Sequence, residues 1–158
     1  MPEIPLTQNQ VTIVDDVDYE FLMQSKWYAI NPGGKWRPAR MTKQYGKQRH
    51  LYMYHVIMAR MGIFDFENVD HIDRNPLNNR RSNLRPATKS QNAHNCGLRS
   101  DNTTGAKGVS LHKPSGKYLG RTKIEGTPVY CGSHGTIAEA AEAVKAKRKE
   151  LIGEFASE

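Results

Sequence analysis

One stretch of the chain, residues 68–95, concentrates the residue types that hydrolytic chemistry needs. It contains the adjacent pair Asp70–His71, then an Asn-rich basic loop, and it ends on a short polar segment with Asn92. A histidine titrates near neutral pH and can take a proton from an attacking water. A carboxylate oxygen is a ligand that hard divalent cations prefer. A general base beside a metal ligand, with a second ligand after a loop, suits hydrolysis of a phosphodiester.

The positive charge of the chain peaks on this stretch. The 158 residues carry a formal net charge of +7. Residues 1–69 hold 8 Lys and Arg against 7 Asp and Glu, residues 70–99 hold 6 against 2, and residues 100–158 hold 9 against 7. This excess predicts a polyanionic partner, nucleic acid before a membrane surface. Charge that serves only solubility is the alternative.

Composition also bounds the fold and the compartment. A hydrophobic content of 37% and a mean hydropathy of −0.71 favour small modules over one large core. Cys96 and Cys131 form no CxxC pair, so neither a zinc knuckle nor a disulfide framework is indicated. No apolar run approaches the roughly 20 residues of a membrane span, and the N-terminus lacks a signal pattern. We expect a soluble protein of a reducing compartment, without a membrane partner.

The first half of the chain is predicted to form a small sheet-rich subdomain followed by a helix. The strand candidates are residues 8–14, 26–30, 36–41 and 49–53. Asp15 or Asp16 can cap a brief helix whose apolar side consists of Tyr19, Leu22 and Met23. A second amphipathic helix closes at Gly62 and carries its apolar residues at Tyr54, Ile57, Met58 and Met61. His55 lies on this helix, either as a partly buried packing residue or as a phosphate contact.

The local pattern around Asp70–His71 predicts two short strands and a helix. Residues 69–72 are β-prone, and residues 75–79 are rich in turn formers. Leu84 can begin the second strand, and we expect Pro86 to end regular pairing. Thr88 and Gln91 have the spacing of a capping box for a helix through Asn95. Because neighbours in a strand point to opposite faces, Asp70 and His71 require a strand end or a bulge.

The set DHID, NN, SNLR and QN at these spacings resembles the HNH endonucleases, in the variant with Asn at the third position. The resemblance implies a ββα-metal fold. It makes Asp70 and Asn92 the ligands of one divalent ion, Mg²⁺ or Mn²⁺, which offsets charge on the leaving 3′ oxygen. It makes His71 the general base, and it makes Asn83 the residue that ties the loop to the backbone and orients the histidine.

Other polar residues near the motif have weaker assignments. His94 is two residues past Asn92 and therefore points elsewhere on the helix. It is a secondary catalytic candidate, as is His55. Four arginines are expected to bind phosphates, with solvated surface as the alternative reading: Arg74, Arg80, Arg81 and Arg85.

From Asn102 onward, short β-prone runs alternate with glycine turns and predict a three-stranded meander. Thr136 and Glu139 have the form of a capping box, and the helix they open is expected to end at Gly153. Its buried face is predicted to hold Ala140, Val144 and Leu151.

This C-terminal region resembles the Apetala-type (ethylene-response-factor) DNA-binding domain. The matching pieces are Gly105, Gly108-Val109, Gly116-Lys117-Tyr118, Tyr130-Cys131-Gly132, the AEAA run and Gly153-Glu154-Phe155-Ala156. The resemblance implies that the sheet lies in the major groove. The groove-facing candidates are then Ser110, His112, Lys113, Lys117, Tyr118, Arg121 and Lys123. A small packing module with ordinary surface lysines is the alternative.

The predicted architecture is α+β with three parts: a β-rich subdomain (residues 1–50), an HNH core (51–97) and a sheet packed on one helix (98–158). We expect a metal-dependent, site-specific DNA endonuclease of the homing type, as found in phages, that nicks or cuts double-stranded DNA. It would act in the cytoplasm of a bacterial or phage-infected cell and needs no small-molecule cofactor. The alternatives are a non-catalytic DNA-binding regulator that retains an HNH scaffold and, with less support, a nuclease acting on RNA.

Overall fold

The computed structural model describes residues 1–153 and divides the chain into two compact units, Met1–Ala87 and Thr88–Glu158. Within the described residues, the chain forms α-helices and several small antiparallel sheets. The predicted α+β class is confirmed. The three-part division at residues 50 and 97 stays a prediction.

The first unit contains seven strands and two helices in the order β1 (Glu3–Pro5), β2 (Val11–Ile13), α1 (Asp16–Met23), β3 (Tyr28–Ile30), β4 (Arg37–Gln44), β5 (Lys47–Tyr52), α2 (Met53–Arg60), β6 (Asn68–His71) and β7 (Leu84–Ala87). All of its sheets are antiparallel: β1 pairs with β2, β3 to β5 form a three-stranded sheet, and β6 pairs with β7. A single parallel bridge joins Ile13 to Asn78 and attaches the loop between β6 and β7 to β2.

The core of this unit is built from α1, α2 and the residues around them. Leu22, Trp27, Met53, Ile57 and Met58 are buried together. The i, i+4 spacing of the α2 residues Met53 and Ile57 places both on one face of the helix, where packing rather than propensity stabilises so short an element.

Two expectations for α1 are wrong. Met23 is 46% exposed and lies outside the core. Asp15 stands at the N-cap position but makes no side-chain capping bond. Its carboxylate accepts a hydrogen bond from the backbone N–H of Arg81 at 2.7 Å instead. The aspartate that the pattern assigned to a helix terminus thus holds a distant loop.

The β6–β7 pair runs from Asn68 opposite Ala87 to His71 opposite Leu84. The expectation that Pro86 ends the pairing is wrong, because Pro86 lies opposite Val69 within the ladder. Two strands leave both outer edges without a ladder partner, so a proline can be accommodated there without loss of a ladder bond. His71 is the last residue of β6, which supplies the strand end that an adjacent Asp–His pair requires.

The second unit begins with α3 (Lys89–His94) and continues with β8 (Val109–His112), β9 (Lys117–Ile124), β10 (Thr127–His134) and α4 (Ile137–Ile152). The strands form the predicted meander in the order β10-β9-β8. Both predicted capping boxes, Thr88 with Gln91 and Thr136 with Glu139, are present.

The packing of α4 follows its small residues. Ala140 and Val144 are buried with Val109 against the sheet. The expectation that Leu151 is buried is wrong, since it is 42% exposed in the last turn. Residues 154–156 of the Apetala-type pattern lie outside the described residues. In residues 1–153, no helix is both long and apolar enough to span a bilayer.

Candidate active site

His71 lies buried at the end of β6. The ring of Tyr54 stands edge-on to its imidazole, with the ring centroids 5.6 Å apart at an interplanar angle of 88°. Burial lowers the pKa of His71 below its usual value of 6.5, although the bond to Asn79 and the charges of Asp73 and Asp70 act in the opposite direction. A histidine that is neutral near neutral pH can accept a proton, as a general base must.

The amide of Asn79 favours one tautomer of the His71 imidazole. Its Nδ2 donates to Thr12 Oγ1 and to the Pro76 carbonyl, both at 2.9 Å. Its Oδ1 is therefore the acceptor, and it faces His71 Nε2 at 3.4 Å. An acceptor in this position favours the tautomer protonated on Nε2, with the lone pair on Nδ1. Nδ1 is then the nitrogen able to take a proton from water.

Asn83 joins the two ends of the loop between β6 and β7. Its Oδ1 accepts from the backbone N–H of Asp73 at 3.0 Å, and its Nδ2 donates to Asp73 Oδ1 at 2.9 Å and to the Asn78 carbonyl at 2.7 Å. The backbone N–H of Ile72 donates to the carbonyl of Asn83 at 2.9 Å. The role of Asn83 in orienting the imidazole of His71 stays a prediction.

Asp73 is the anionic centre of this loop. Its Oδ1 also accepts from the backbone N–H of Asn75 at 2.8 Å, and its Oδ2 accepts from Asn78 Nδ2 at 2.6 Å. Burial alone would raise the pKa of Asp73, but these bonds together with that from Asn83 hold it below its usual value of 3.8. An ionised Asp73 therefore organises the loop that follows His71.

Asp70 is buried and faces Arg85 on β7, the residue opposite it in the ladder. Arg85 Nε lies 2.9 Å and Nη2 lies 2.8 Å from Asp70 Oδ2. The structure thus places the predicted metal ligand directly before the predicted base in β6. It also engages one of the four arginines that were expected to bind phosphates.

The other three arginines differ in their surroundings. Arg81 is held by Asp18, through Nε to Oδ2 at 2.7 Å and Nη2 to Oδ1 at 2.8 Å. Arg80 donates from Nε to Asn78 Oδ1 at 2.9 Å. Arg74 is exposed at a left-handed backbone position with φ of 65°. Arg74 is therefore the arginine of this set whose placement best suits a phosphate contact.

The predicted ligand Asn92 lies on α3 in the second unit, where it is half-buried. His94 lies at the end of the same helix and is buried. Burial lowers its pKa, and the nearby charge of Arg148 acts in the same direction, whereas a hydrogen bond to the backbone of Lys123 opposes them. That hydrogen bond attaches α3 to β9. His55 on α2 is half-buried between the rings of Tyr54 and Phe66, and burial lowers its pKa.

The groove-facing candidates of the second unit lie on or next to β8 and β9. Tyr118 packs against the core of the unit. The other six are exposed: Ser110, His112, Lys113, Lys117, Arg121 and Lys123. His112 Nδ1 lies 2.7 Å from Ser115 Oγ in the turn between these strands. The exposed members leave four cations and two polar groups accessible on this sheet.

Three features of the site were not predicted from the sequence: the contact of Asn79 with His71, the packing of the Tyr54 ring against His71, and the basic β4–β5 hairpin. From Phe21 to Phe64 the chain has eight Lys and Arg and no Asp or Glu. The hairpin β4–β5 lies in this segment and is exposed from Lys43 to His50. The sequence does contain this signal, because all Asp and Glu of residues 1–69 lie before Phe21 or after Phe64. The net charge of residues 1–69 as a whole does not show it.

The two predicted metal ligands both offer oxygen donors. Asp70 offers a carboxylate oxygen and Asn92 an amide oxygen, and both are hard ligands of the kind that Mg²⁺ and Mn²⁺ accept. Within residues 1–153, no three side chains of the His, Cys, Asp and Glu types converge as a metal cluster. Each predicted ligand by itself therefore has the donor chemistry that such an ion accepts, and their joint coordination of one ion stays a prediction.

Comparison with known proteins gives a family match. The model of the HNH endonuclease family matches residues 45–94. Protein 3.8 of Escherichia phage T7 is 36% identical over 88 residues, which cover 56% of this chain and 72% of that protein. An uncharacterized HNH endonuclease, L560 of Acanthamoeba polyphaga mimivirus, is 33% identical over 133 residues. This match covers 84% of the chain and 65% of L560, slightly less than two thirds of its length. No solved structure matches.

Proposed function

Because the chain belongs to the same family as protein 3.8 of phage T7 and carries an HNH endonuclease domain, we propose that it is a metal-dependent nuclease that hydrolyses phosphodiester bonds of double-stranded DNA. The observation that carries this proposal is the environment of His71. The imidazole is buried and neutral near neutral pH, it faces an acceptor at Nε2, and it directly follows a carboxylate.

In this proposal His71 takes a proton from the attacking water through Nδ1. Asn79 and Tyr54 hold the ring, and Asn83 with Asp73 holds the loop that follows it. Asp70 and Asn92 would hold one Mg²⁺ or Mn²⁺ ion. Such an ion supplies electrostatic stabilisation of negative charge on the phosphate and the leaving 3′ oxygen.

Binding to DNA is supported by the distribution of cations. The β4–β5 ribbon has the width that the major groove of B-DNA admits, and its segment of the chain contains no carboxylate. The sheet of the second unit presents Lys113, Lys117, Arg121 and Lys123. We infer that this unit, whose sequence resembles the Apetala-type domain, reads DNA sequence. The chain would then be a site-specific nuclease of the homing type that acts in a virus-infected cell.

The test is cleavage of supercoiled plasmid that contains the native locus, with Mg²⁺ or Mn²⁺ and with EDTA. We expect metal-dependent relaxation by the wild type and a loss of roughly 100-fold or more in His71→Ala, since general base catalysis contributes about 10² to 10⁴. Glu20→Ala, an exposed residue on α1 outside the predicted base, the predicted metal ligands and the β4–β5 ribbon, is the control and should retain activity. The ratio of nicked to linear product reports whether one strand or both are cut.

Folded wild-type protein that binds this DNA in EDTA but does not cleave it with either metal would refute the nuclease assignment. That result would favour the sequence-specific regulator that retains an HNH scaffold. Equal loss of activity in Glu20→Ala and His71→Ala would refute the assignment of the base while leaving the nuclease in place.

A further inference from the structure

A cavity of about 930 Å³ opens within the second unit. It is bounded by α3, the loop that leads to β8, the start of β8, the end of β9 with the turn after it, and α4. None of Asp70, His71, Asn83 and Asn92 lines it, so it is distinct from the residues assigned to the base and the metal. Its volume lies within the range of small-ligand sites, which are typically about 300–1,000 Å³.

Arg148 on α4 is the buried cation of this cavity, with 7% of its surface exposed. Its Nε donates to Thr122 Oγ1 on β9 at 3.2 Å. Within residues 1–153, no carboxylate forms an ion pair with its guanidinium. A guanidinium stays charged, and a buried charge without a counter-ion is costly for the folded state. An anion that enters the cavity would remove this cost.

The backbone around Arg148 is built to leave the guanidinium accessible to the cavity. Gly108 has φ of +78°, and a Cβ there would lie 3.3 Å from Arg148 Nη2 and 2.3 Å from the carbonyl oxygen of Arg121. Only glycine fits, so the chain passes close to the guanidinium without covering it. Thr122 fixes the other side of the group through the Nε bond. The guanidinium is therefore held in place before any ligand binds.

The remaining charged residues of the lining make the cavity strongly cationic. It has six cations, Lys89, Arg99, Lys107, Arg121, Lys123 and Arg148, against two carboxylates, Asp101 and Glu125. Asp101 is itself paired with Arg99, at 2.9 Å. Two of the cations, Arg121 and Lys123, also belong to the predicted groove-facing set.

We propose that this cavity binds a phosphate group, with Arg148 as its central ligand, and that the group is a backbone phosphate of the bound nucleic acid. The planar fork of a guanidinium matches phosphate oxygens and can bind two of them at once. The choice of a backbone phosphate rests on the proposed function. A free phosphate compound shares the same chemistry, and the two sources are separated by the experiment below.

The first measurement is DNA affinity of the full chain in EDTA, by fluorescence anisotropy at several salt concentrations. Arg148→Met keeps an unbranched apolar side chain about as long as the aliphatic stem of arginine and removes the charged guanidinium. We expect its affinity to fall by about tenfold or more, as for a lost hydrogen bond to a charged group. The salt slope should fall by about 0.9, the contribution of one duplex phosphate. Lys149→Gln, which removes an exposed charge from the next position of α4, should bind nearly as the wild type does.

Thermal unfolding distinguishes a ligand from a structural residue. Since Arg148 is buried without a carboxylate partner, Arg148→Met should melt at the wild-type temperature or above it, because an apolar residue of similar size removes the desolvation cost. Arg148→Lys keeps the charge but loses the fork, so its affinity should be intermediate. A lower melting temperature in Arg148→Met, with a parallel loss of DNA affinity, would overturn the proposal. Affinity equal to that of Lys149→Gln would also overturn it.

A second arm uses inorganic phosphate, so that this inference and the proposed function can fail separately. If the wild type binds no DNA, the proposed function fails. The cavity is then supported as a site for a free phosphate compound if phosphate raises the melting temperature of the wild type more than chloride of equal ionic strength, and if Arg148→Met abolishes the difference. An equal response of wild type and Arg148→Met to phosphate, without a difference in DNA affinity, would overturn the cavity as a phosphate site.

Discussion

The contact between Asn79 and His71 can be tested by removing the acceptor, in Asn79→Ala. Asn79 Oδ1 faces His71 Nε2 at 3.4 Å and is the acceptor that favours a lone pair on Nδ1. Without it, the imidazole loses its preference for this tautomer and part of its orientation. We expect a lower plateau of the cleavage rate at high pH and an altered acid limb of the pH–rate profile.

The magnitude follows from the strength of one neutral hydrogen bond, about 0.5–1.5 kcal/mol. Lost in full from the reactive geometry, this lowers the plateau of kcat by about twofold to tenfold. The direction in which the acid limb of the pH–rate profile moves follows from the two influences on the pKa of His71. Burial lowers the pKa of His71 and the bond to Asn79 raises it, so removal of the bond lowers the pKa further. The acid limb should move to lower pH, by no more than about one unit, since one unit corresponds to 1.36 kcal/mol.

The matched control is Thr12→Val. Thr12 Oγ1 accepts from Asn79 Nδ2 and donates to the Leu77 carbonyl at 2.7 Å, so this variant disturbs the same buried network without removing the partner of His71. Both variants should lose about 1–3 kcal/mol of stability through unpaired buried groups. Only Asn79→Ala should move the limb. A limb displaced to higher pH, or displaced equally in both variants, would refute the assignment of Asn79 as the positioning residue.

Two further predictions concern stability, measured by thermal or urea unfolding. Asp18 is fully buried and accepts from Arg60 at 2.6 Å and from Arg81 at 2.7 Å, so Asp18→Asn should cost about 3 kcal/mol, the lower end for a broken buried pair because both arginines are partly exposed. Asp16→Asn, an exposed neighbour in the same turn, should change stability by less than about 0.5 kcal/mol, and equal losses in the two variants would contradict the reasoning. The second prediction is a loss of stability as the pH falls below 6.5, because three histidines have folded-state pKa values below that unfolded value. Burial is the leading cause in each: His55, His71 and His94. The unfolded chain then binds more protons than the folded one, and stability that is present above pH 6.5 declines below it. A melting temperature that rises between about pH 8 and pH 5.5 would contradict this sign.

Elements with a local cause were predictable from the sequence. The capping boxes at Thr88 and Thr136 depend on residues three positions apart, and both form as predicted. The meander of the second unit follows from β-prone runs between glycine turns, and it too is confirmed. The pair Asp70–His71 at a strand end was required by the alternation of side chains in a strand.

The predictions fail where a residue far away in the sequence determines the local contact. Asp15 is a good N-cap by residue type, but the backbone of Arg81 takes its carboxylate. Tyr19, Leu22 and Met23 fall at i, i+3 and i+4, the spacing of one helix face. A helix of eight residues nevertheless buries only a narrow stripe, and Met23 lies outside it. The partner of His71 could not be chosen from the sequence, because Asn75, Asn78 and Asn79 share one loop. Which amide faces the imidazole depends on how that loop is attached to β2.

That attachment explains why the candidate site depends on residues well before the motif. The loop between β6 and β7 has few apolar side chains, so polar contacts to the first twenty residues hold it. Thr12 binds Asn79, Asp15 binds the backbone of Arg81, and Asp18 binds its guanidinium. The backbone N–H of Asn79 donates to the Ile13 carbonyl at 2.8 Å, and that of Ile13 donates to the Leu77 carbonyl at 2.9 Å. Val14, directly after β2, and Leu22 on α1 lie in the core of the unit. These contacts therefore fix the position of His71 relative to that core rather than to its own loop. The β6–β7 pair and its loop thereby obtain a rigidity that their own few apolar residues could not supply.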